Sequence, residues 1–214
     1  MIEPLLEIKN LSVLLKKRDN ISVAVDDLSL NLYPGEILGL VGESGAGKSM
    51  TGAAILGLIE PPLYISTGTI SFSGQSIIEA PESIRGSGIS MIFQDPLVSL
   101  NPLKTIGQQL IKTLKTHFNI SKAEALERSK KLLSDVGIDP ERIHAYPHTF
   151  SGGMRQRVVI ALALAPEPSV IIADEPTTAL DVSVQAQILN LLKQLCTERG
   201  TSIILITHDM GVIS

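Results

Sequence analysis

The sequence predicts an α/β fold built on a mainly parallel sheet, and three observations point there. The chain has 214 residues, enough for one domain with a substantial core. Its composition is 44% hydrophobic but only 3% aromatic, so the core is aliphatic. Aliphatic strands without polar alternation suit a parallel sheet covered on both faces by helices. Three such runs, Ile37 to Val41, Ser169 to Ala173 and Thr201 to Thr207, alternate with helix-period segments, the pattern of right-handed crossovers.

Taken in order, the chain first offers short strands at Leu6–Ile8, Val23–Val25 and Leu28–Leu32, with the basic stretch Lys16 to Asn20 as a loop between them. Pro34-Gly35 then turns the chain into the apolar strand Ile37–Val41. From Ser49, the spacing of Met50, Ala53, Ala54, Leu56 and Leu58 predicts a helix that Pro61-Pro62 stops. Thr69–Phe72 and Ile89–Phe93 read as further strands. Between 96 and 165 the texture is helical. Thr105 to Phe118 and Ser121 to Val136 have helical spacing, and Ser121 with Glu124 fits a capping box. An inserted helical subdomain is expected there, with 1–95 and 166–214 forming the core. A last helix is expected from Val184 to Arg199, stopped by Gly200.

Composition also limits the partners. A net charge of −4 gives no electrostatic basis for nucleic acid. The single Cys196 cannot form an internal disulfide and sits in a helical stretch without other ligand types, so it reads as packing. The N-terminus lacks the basic-then-apolar pattern of a signal peptide. The apolar run Val158–Ala165 falls far short of the roughly 20 residues a membrane span needs. Any membrane role is therefore expected to come through a partner.

Chemistry enters at Gly42-Glu43-Ser44-Gly45-Ala46-Gly47-Lys48-Ser49, followed by Met50. The spacing is that of a phosphate-binding loop, with a strand before it and a helix after it. Glycines let backbone N–H groups turn toward β- and γ-phosphates at a helix N-terminus, Lys48 adds a point charge, and the Ser49 hydroxyl suits Mg²⁺. A Gly-rich turn matching by chance is the alternative. Asp174 closes an apolar strand, where a carboxylate needs a cation beside it, and the Mg²⁺ on Ser49 would supply one. By strand alternation Glu175 then faces the γ-phosphate and orients or deprotonates a water. The bland alternative is an acidic pair capping the helix after Pro176. His144 and His148 stand four apart, but Pro147 intervenes and no third ligand is evident, so they are read as structural.

The order of motifs resembles the ATP-binding subunit of ABC transporters over nearly the whole chain. Phe93-Gln94-Asp95-Pro96 resembles the Q-loop, Ser151-Gly152-Gly153 the signature, Thr178 to Asp181 the D-loop, and His208 the switch histidine. The resemblance implies a P-loop NTPase cassette of ABC type, with a mainly parallel core, an N-terminal antiparallel β part and the helical subdomain. It implies ATP and Mg²⁺ as cofactors, with Gln94 approaching the metal and the water, and His208 contacting the γ-phosphate. Ser151, Gly152, Gly153 and Asp181 would act across a head-to-tail dimer with a second ATPase subunit.

The stretches Asp95 to Pro102, Tyr146-Pro147-His148 and Met154 to Arg157 narrow the resemblance to peptide and nickel importers. That group implies two permease subunits, a solute-binding protein acting indirectly, and a peripheral position on the cytoplasmic face of the membrane. Nickel import, a non-transport ABC protein acting on ribosomes or DNA, and a truncated nucleotide-binding module are the competing readings. The family usually stacks an aromatic on adenine, where this chain aligns Leu15, so weaker nucleotide affinity is expected. Family members also continue well past His208, so the end at Ser214 predicts a missing C-terminal part and reduced stability.

Overall fold

The computed structural model describes residues 3–17, 20–43, 45–178 and 180–208. In chain order come β1 (Leu6–Lys17), β2 (Asn20–Leu32), β3 (Ile37–Val41), α1 (Lys48–Ile55), β4 (Leu63–Phe72), β5 (Gln75–Ser76) and β6 (Ile89–Ile92). They are followed by α2 (Pro96–Ser99), α3 (Ile106–His117), α4 (Lys122–Asp135), α5 (Gly152–Leu164), β7 (Val170–Asp174), α6 (Val182–Arg199) and β8 (Ser202–Thr207).

The strands form two sheets. One is four-stranded and antiparallel, in the order β2-β1-β4-β5; the other is four-stranded and parallel, in the order β3-β8-β7-β6. Every residue of β7 and β8 is buried. That is why these strands read as unbroken aliphatic runs: a parallel sheet covered on both faces gives no polar alternation. One core packs α3, α4, α5 and α6 against one face of the parallel sheet. The other packs α1 and the antiparallel sheet against the opposite face. α5 is buried almost all round, with Val158, Ile160 and Ala161 at 0% exposure.

The N-terminal strands differ from the sequence expectation. β1 and β2 are one long hairpin rather than short strands flanking a loop at Lys16 to Asn20. Alternation breaks at Asn10 and Asp27, which suggests strand ends, but the ladder continues through register shifts. Both residues take positive φ (50° and 46°), and the Asn10 side-chain amide donates to Asp27 Oδ1 at 2.7 Å. Bulges of this kind keep two strands paired where the pleat is interrupted.

The helix ends also differ from the sequence expectation. The reciprocal capping box lies at Thr105, whose hydroxyl accepts from Gln108 N while the Gln108 side chain accepts from Thr105 N. Ser121 accepts from Glu124 N, but the Glu124 carboxylate turns outward to Arg128 at 2.8 Å instead of closing the box. α1 ends earlier than its periodicity implies. Arg85 donates to the carbonyls of Leu56 and Gly57, satisfying acceptors that the helix leaves open. Among the described residues, no helix is long and apolar enough to cross a membrane.

The topology sets up the site. Asp174 pairs in register with Ile206, and Val41 with Thr207, so the carboxyl ends of β3, β7 and β8 lie level. Loops leaving that edge are where open α/β sheets place ligands.

Candidate functional site: a phosphate loop and an acidic pair at one sheet edge

Four loops converge at the carboxyl edge of the parallel sheet. The loop after β3 turns into α1 with Gly45 and Gly47 at φ of 84° and 79°. Lys48, 8% exposed, folds back so that its ammonium donates to the carbonyls of Gly42 and Glu43, each at 2.7 Å. These contacts hold the charge over the mouth of the loop. Ser44 lies outside the described residues.

Gly47 carries a constraint that the motif spacing does not reveal. Val13 pairs with Val25 and Leu14 with Val23, leaving Ala24 as the extra residue of a bulge in β2. The Ala24 carbonyl sits against Gly47, where an added Cβ would lie 2.1 Å from that oxygen. The antiparallel sheet is thus seated directly on the phosphate loop.

Ser49 donates through its hydroxyl to Asp174 Oδ1 at 3.0 Å, joining the loop to the end of β7. Asp174 is 5% exposed. Burial pushes its carboxyl above the ordinary value, and the Glu175 charge adds to that; the Ser49 hydrogen bond and the Lys48 charge act against it. A buried carboxylate this poorly compensated, with a hydroxyl oxygen beside it, suits a hard divalent cation bound through oxygen.

Glu175 is placed by a turn and not by strand alternation, which corrects the sequence argument. Its φ is +45°, a left-handed conformation uncommon for a residue with a side chain, and its N–H donates to the Ile206 carbonyl at 2.9 Å. Backbone strain of this kind is concentrated at functional sites. The carboxylate is held from three sides. Gln94 Nε2 donates to Oε2 at 3.0 Å, Thr178 Oγ1 donates to the same oxygen at 2.8 Å, and His208 Nδ1 stands 3.0 Å from Oε1. Partial burial alone would raise its pKa, but the hydrogen bonds from His208 and Thr178 outweigh this and hold the carboxyl below its ordinary value. Thr178 was not singled out from sequence for this role; its position three residues after Glu175, inside the turn, was the available signal.

Lys48, Ser49, Met50, Gln94, Glu175 and His208 line one open cavity of about 540 Å³, together with Ala24. A cavity of this size accommodates a small-molecule ligand. A larger cleft of about 820 Å³ between α4 and α6 contains none of the motif residues.

The signature residues lie elsewhere. Ser151 caps α5, accepting from Met154 N at 3.3 Å. Gly152 and Gly153 press against the region where α6 begins: a Cβ on Gly153 would stand 2.8 Å from Val184 Cγ1, and one on Gly152 3.4 Å from Leu180 Cδ2. Asp181 is the N-cap residue of α6. None of these four lines the cavity around Lys48.

Comparison with known proteins decides the family. The profile described as "ABC transporter" matches residues 25–178. The chain belongs to the ABC transporter family. It is 51% identical to the oligopeptide transport ATP-binding protein OppD of Salmonella typhimurium, over 98% of this chain and 64% of that protein. It is likewise 51% identical to the peptidoglycan transport ATP-binding protein YejF of Agrobacterium fabrum, over 99% of this chain and 40% of that protein. The chain thus spans 40% and 64% of the lengths of these two relatives. Among solved structures it resembles a dimeric ATP-binding cassette in a post-hydrolysis state bound to ADP and Pi, with a TM-score of 0.85 and 30% identity, covering 97% of this chain and 89% of that one. This ABC family fold accounts for the shared sheet edge from which all four loops emerge.

Proposed function

We propose that this chain is an ATP-hydrolysing subunit that energises import of peptides through a membrane ABC transporter. The observation that carries the reading is the convergence of Lys48, Ser49, Gln94, Glu175 and His208 on one cavity at one sheet edge, with Asp174 hydrogen-bonded to Ser49 beside it. The identity to oligopeptide transport ATP-binding proteins supports the cargo class.

In this reading the backbone N–H groups of Gly42 to Ser49, including Glu43, Ser44, Gly45 and Ala46, cradle the β- and γ-phosphates, and Lys48 releases its loop carbonyls to pair with them. Ser49, Gln94 and Asp174 would hold Mg²⁺, which when bound would neutralise charge on the phosphate oxygens. Glu175, kept ionised by its partners, accepts a hydrogen bond from the attacking water and fixes its direction. As the water oxygen bonds to the γ-phosphorus and the bond to the β-phosphate oxygen breaks, the water proton passes toward that carboxylate. His208, set by its contact with Glu175, faces the γ-phosphate.

Ser151, Gly152, Gly153 and Asp181 complete the site of a second cassette, since they lie away from their own cavity and α5 presents its N-terminal N–H groups there. A pair of such subunits, identical or not, would sit beneath two permeases fed by a solute-binding protein, peripheral to the cytoplasmic face of the membrane. Residues 96–165 form the helical signature subdomain in this reading, and 1–95 with 166–214 the core.

The test is reconstitution with a peptide permease pair and binding protein in vesicles. ATP-driven uptake of a labelled tripeptide that disappears in Lys48→Ala supports the reading. Uptake that is unchanged by that substitution, or absent for peptides but present for nickel, contradicts it.

A further inference from the structure

The antiparallel sheet turns one face to the core and the other to solvent, and near the tip of the β1–β2 hairpin its solvent face is apolar. β1 is regular against β4 from Val13 to Leu15, with Val13 paired to Ile65 and Leu14 to Tyr64. Val13 is fully buried, so Leu14 and Tyr64 point to the opposite face. Val23 pairs with Leu14 from the other side and joins them. Lys16 and Ile21, paired two residues further toward the tip, lie on the same face.

Val23, Ile21 and Tyr64 are 58%, 61% and 39% exposed. Among the described residues neither these three nor Leu14 packs against either hydrophobic core. Four apolar side chains thus form one patch across three strands, with β2 as the outer strand of the sheet. Single exposed apolar residues are ordinary, whereas a contiguous set with a polar rim marks a contact surface. The rim here is basic. Lys16 stands within the patch and Lys17 beside it, both exposed and without an ion pair among the described residues. Arg18 follows in the sequence, with Asp19 as the one acid before Asn20. Asp26 and Asp27 lie beyond the bulge at Ala24, away from the tip. Positive charge is therefore concentrated at the patch in a chain whose net charge is −4.

We propose that this patch docks on an anionic lipid surface. Leu14, Ile21, Val23 and Tyr64 enter the headgroup layer, and Lys16 and Lys17 pair with lipid phosphates. Composition and size favour a membrane over a protein partner. Protein interfaces are depleted in Lys, and a stable one covers about 800 Å² on each side, more than four partly covered side chains provide. Membrane interfaces favour Tyr, whose ring and hydroxyl suit the boundary. They also suit Lys, whose methylenes lie along apolar groups while the ammonium reaches the headgroups. The lipid contact is direct and is separate from the attachment through permeases proposed above.

The test is flotation of the full chain with two kinds of vesicle, phosphatidylcholine alone and phosphatidylcholine mixed with phosphatidylglycerol. The expected result is binding to the anionic vesicles that weakens as salt is raised, because salt screens the charge attraction. Replacing both lysines, Lys16→Gln with Lys17→Gln, should weaken that partition about 10–30-fold. Ile21→Thr with Val23→Thr should weaken it about tenfold while keeping β-branched residues in the strand. Melting temperature and ATP turnover should match the parent in both variants, since these side chains touch neither the cores nor the phosphate cavity. No binding to either vesicle, equal binding to both, or binding that survives both variants overturns the proposal. Self-association of the parent in sedimentation velocity that Ile21→Thr with Val23→Thr abolishes would assign the patch to a second copy, which overturns it as well.

Discussion

The seat of the antiparallel sheet on the phosphate loop is open to a direct test, Gly47→Ala. Gly47 takes φ +79°, where a side chain costs about 1–2 kcal/mol. The new Cβ would lie 2.1 Å from the Ala24 carbonyl oxygen and 3.1 Å from Val25 Cγ2. The oxygen belongs to the backbone of a strand paired along the length of β1, so β2 must retreat as a unit. Overpacking of this sort costs about 1–3 kcal/mol more, for a total of about 2–5 kcal/mol. In a domain of this size the melting temperature falls by about 2–4 °C per kcal/mol, so a drop of about 4–20 °C is expected. Gly45→Ala is the internal control. Gly45 has a similar φ of +84°, but nothing lies within 4 Å of its added Cβ. It should show the conformational cost alone, about 2–8 °C by the same conversion. Thermal melts of the two variants and the parent, without nucleotide, settle the matter. If Gly47→Ala melts with Gly45→Ala, the bulge at Ala24 does not bear on the loop and the reasoning fails.

Other expectations follow from the same site and its surroundings. Asp174 has a folded pKa raised from its ordinary 3.8, chiefly by burial, so its contribution to stability is present below that value and is lost as pH rises through the folded pKa. Asp174→Asn should therefore leave the metal-free melting temperature at neutral pH unchanged or higher while removing Mg²⁺-dependent nucleotide stabilisation; a lower metal-free melt with that stabilisation intact would contradict this. Ser151→Ala removes the hydroxyl that accepts from Met154 N and should cost about 1 kcal/mol in urea titration, against no change if water replaces the cap. Cys196 is buried and its thiol is pushed up to about 12, so alkylation at pH 8 should be slower than in the urea-unfolded chain by on the order of 10³; equal rates would place the thiol outside the core.

What was legible in the sequence follows the range of the interactions. β7 and β8 announced themselves because their burial is uniform, and the loop from Gly42 to Ser49 because its chemistry is local. The pairing of Asn10 with Asp27 was not legible, since it depends on partners 17 residues apart that turn a broken alternation into a continued ladder. Ser121 and Thr105 both precede a suitable third residue. Sequence cannot say that Glu124 prefers Arg128 while Gln108 turns back to its cap. Glu175 was identified by its place after Asp174, but its aim comes from a positive φ and from Thr178, Gln94 and His208, contributed by three separate loops. The bulge at Ala24 left no trace in composition or spacing, because it is set by register across β1.

The central claim is that the acidic residue at the turn after β7 directs water onto a triphosphate held by Lys48 and Ser49. The most direct measurement is Mg²⁺-dependent phosphate release from ATP by the purified chain, alongside Glu175→Gln shown by its melt to be folded. The account predicts turnover that the substitution slows by on the order of 10²–10⁴ while nucleotide binding persists. Turnover by Glu175→Gln near the parent rate would remove Glu175 from the chemistry and contradict the account.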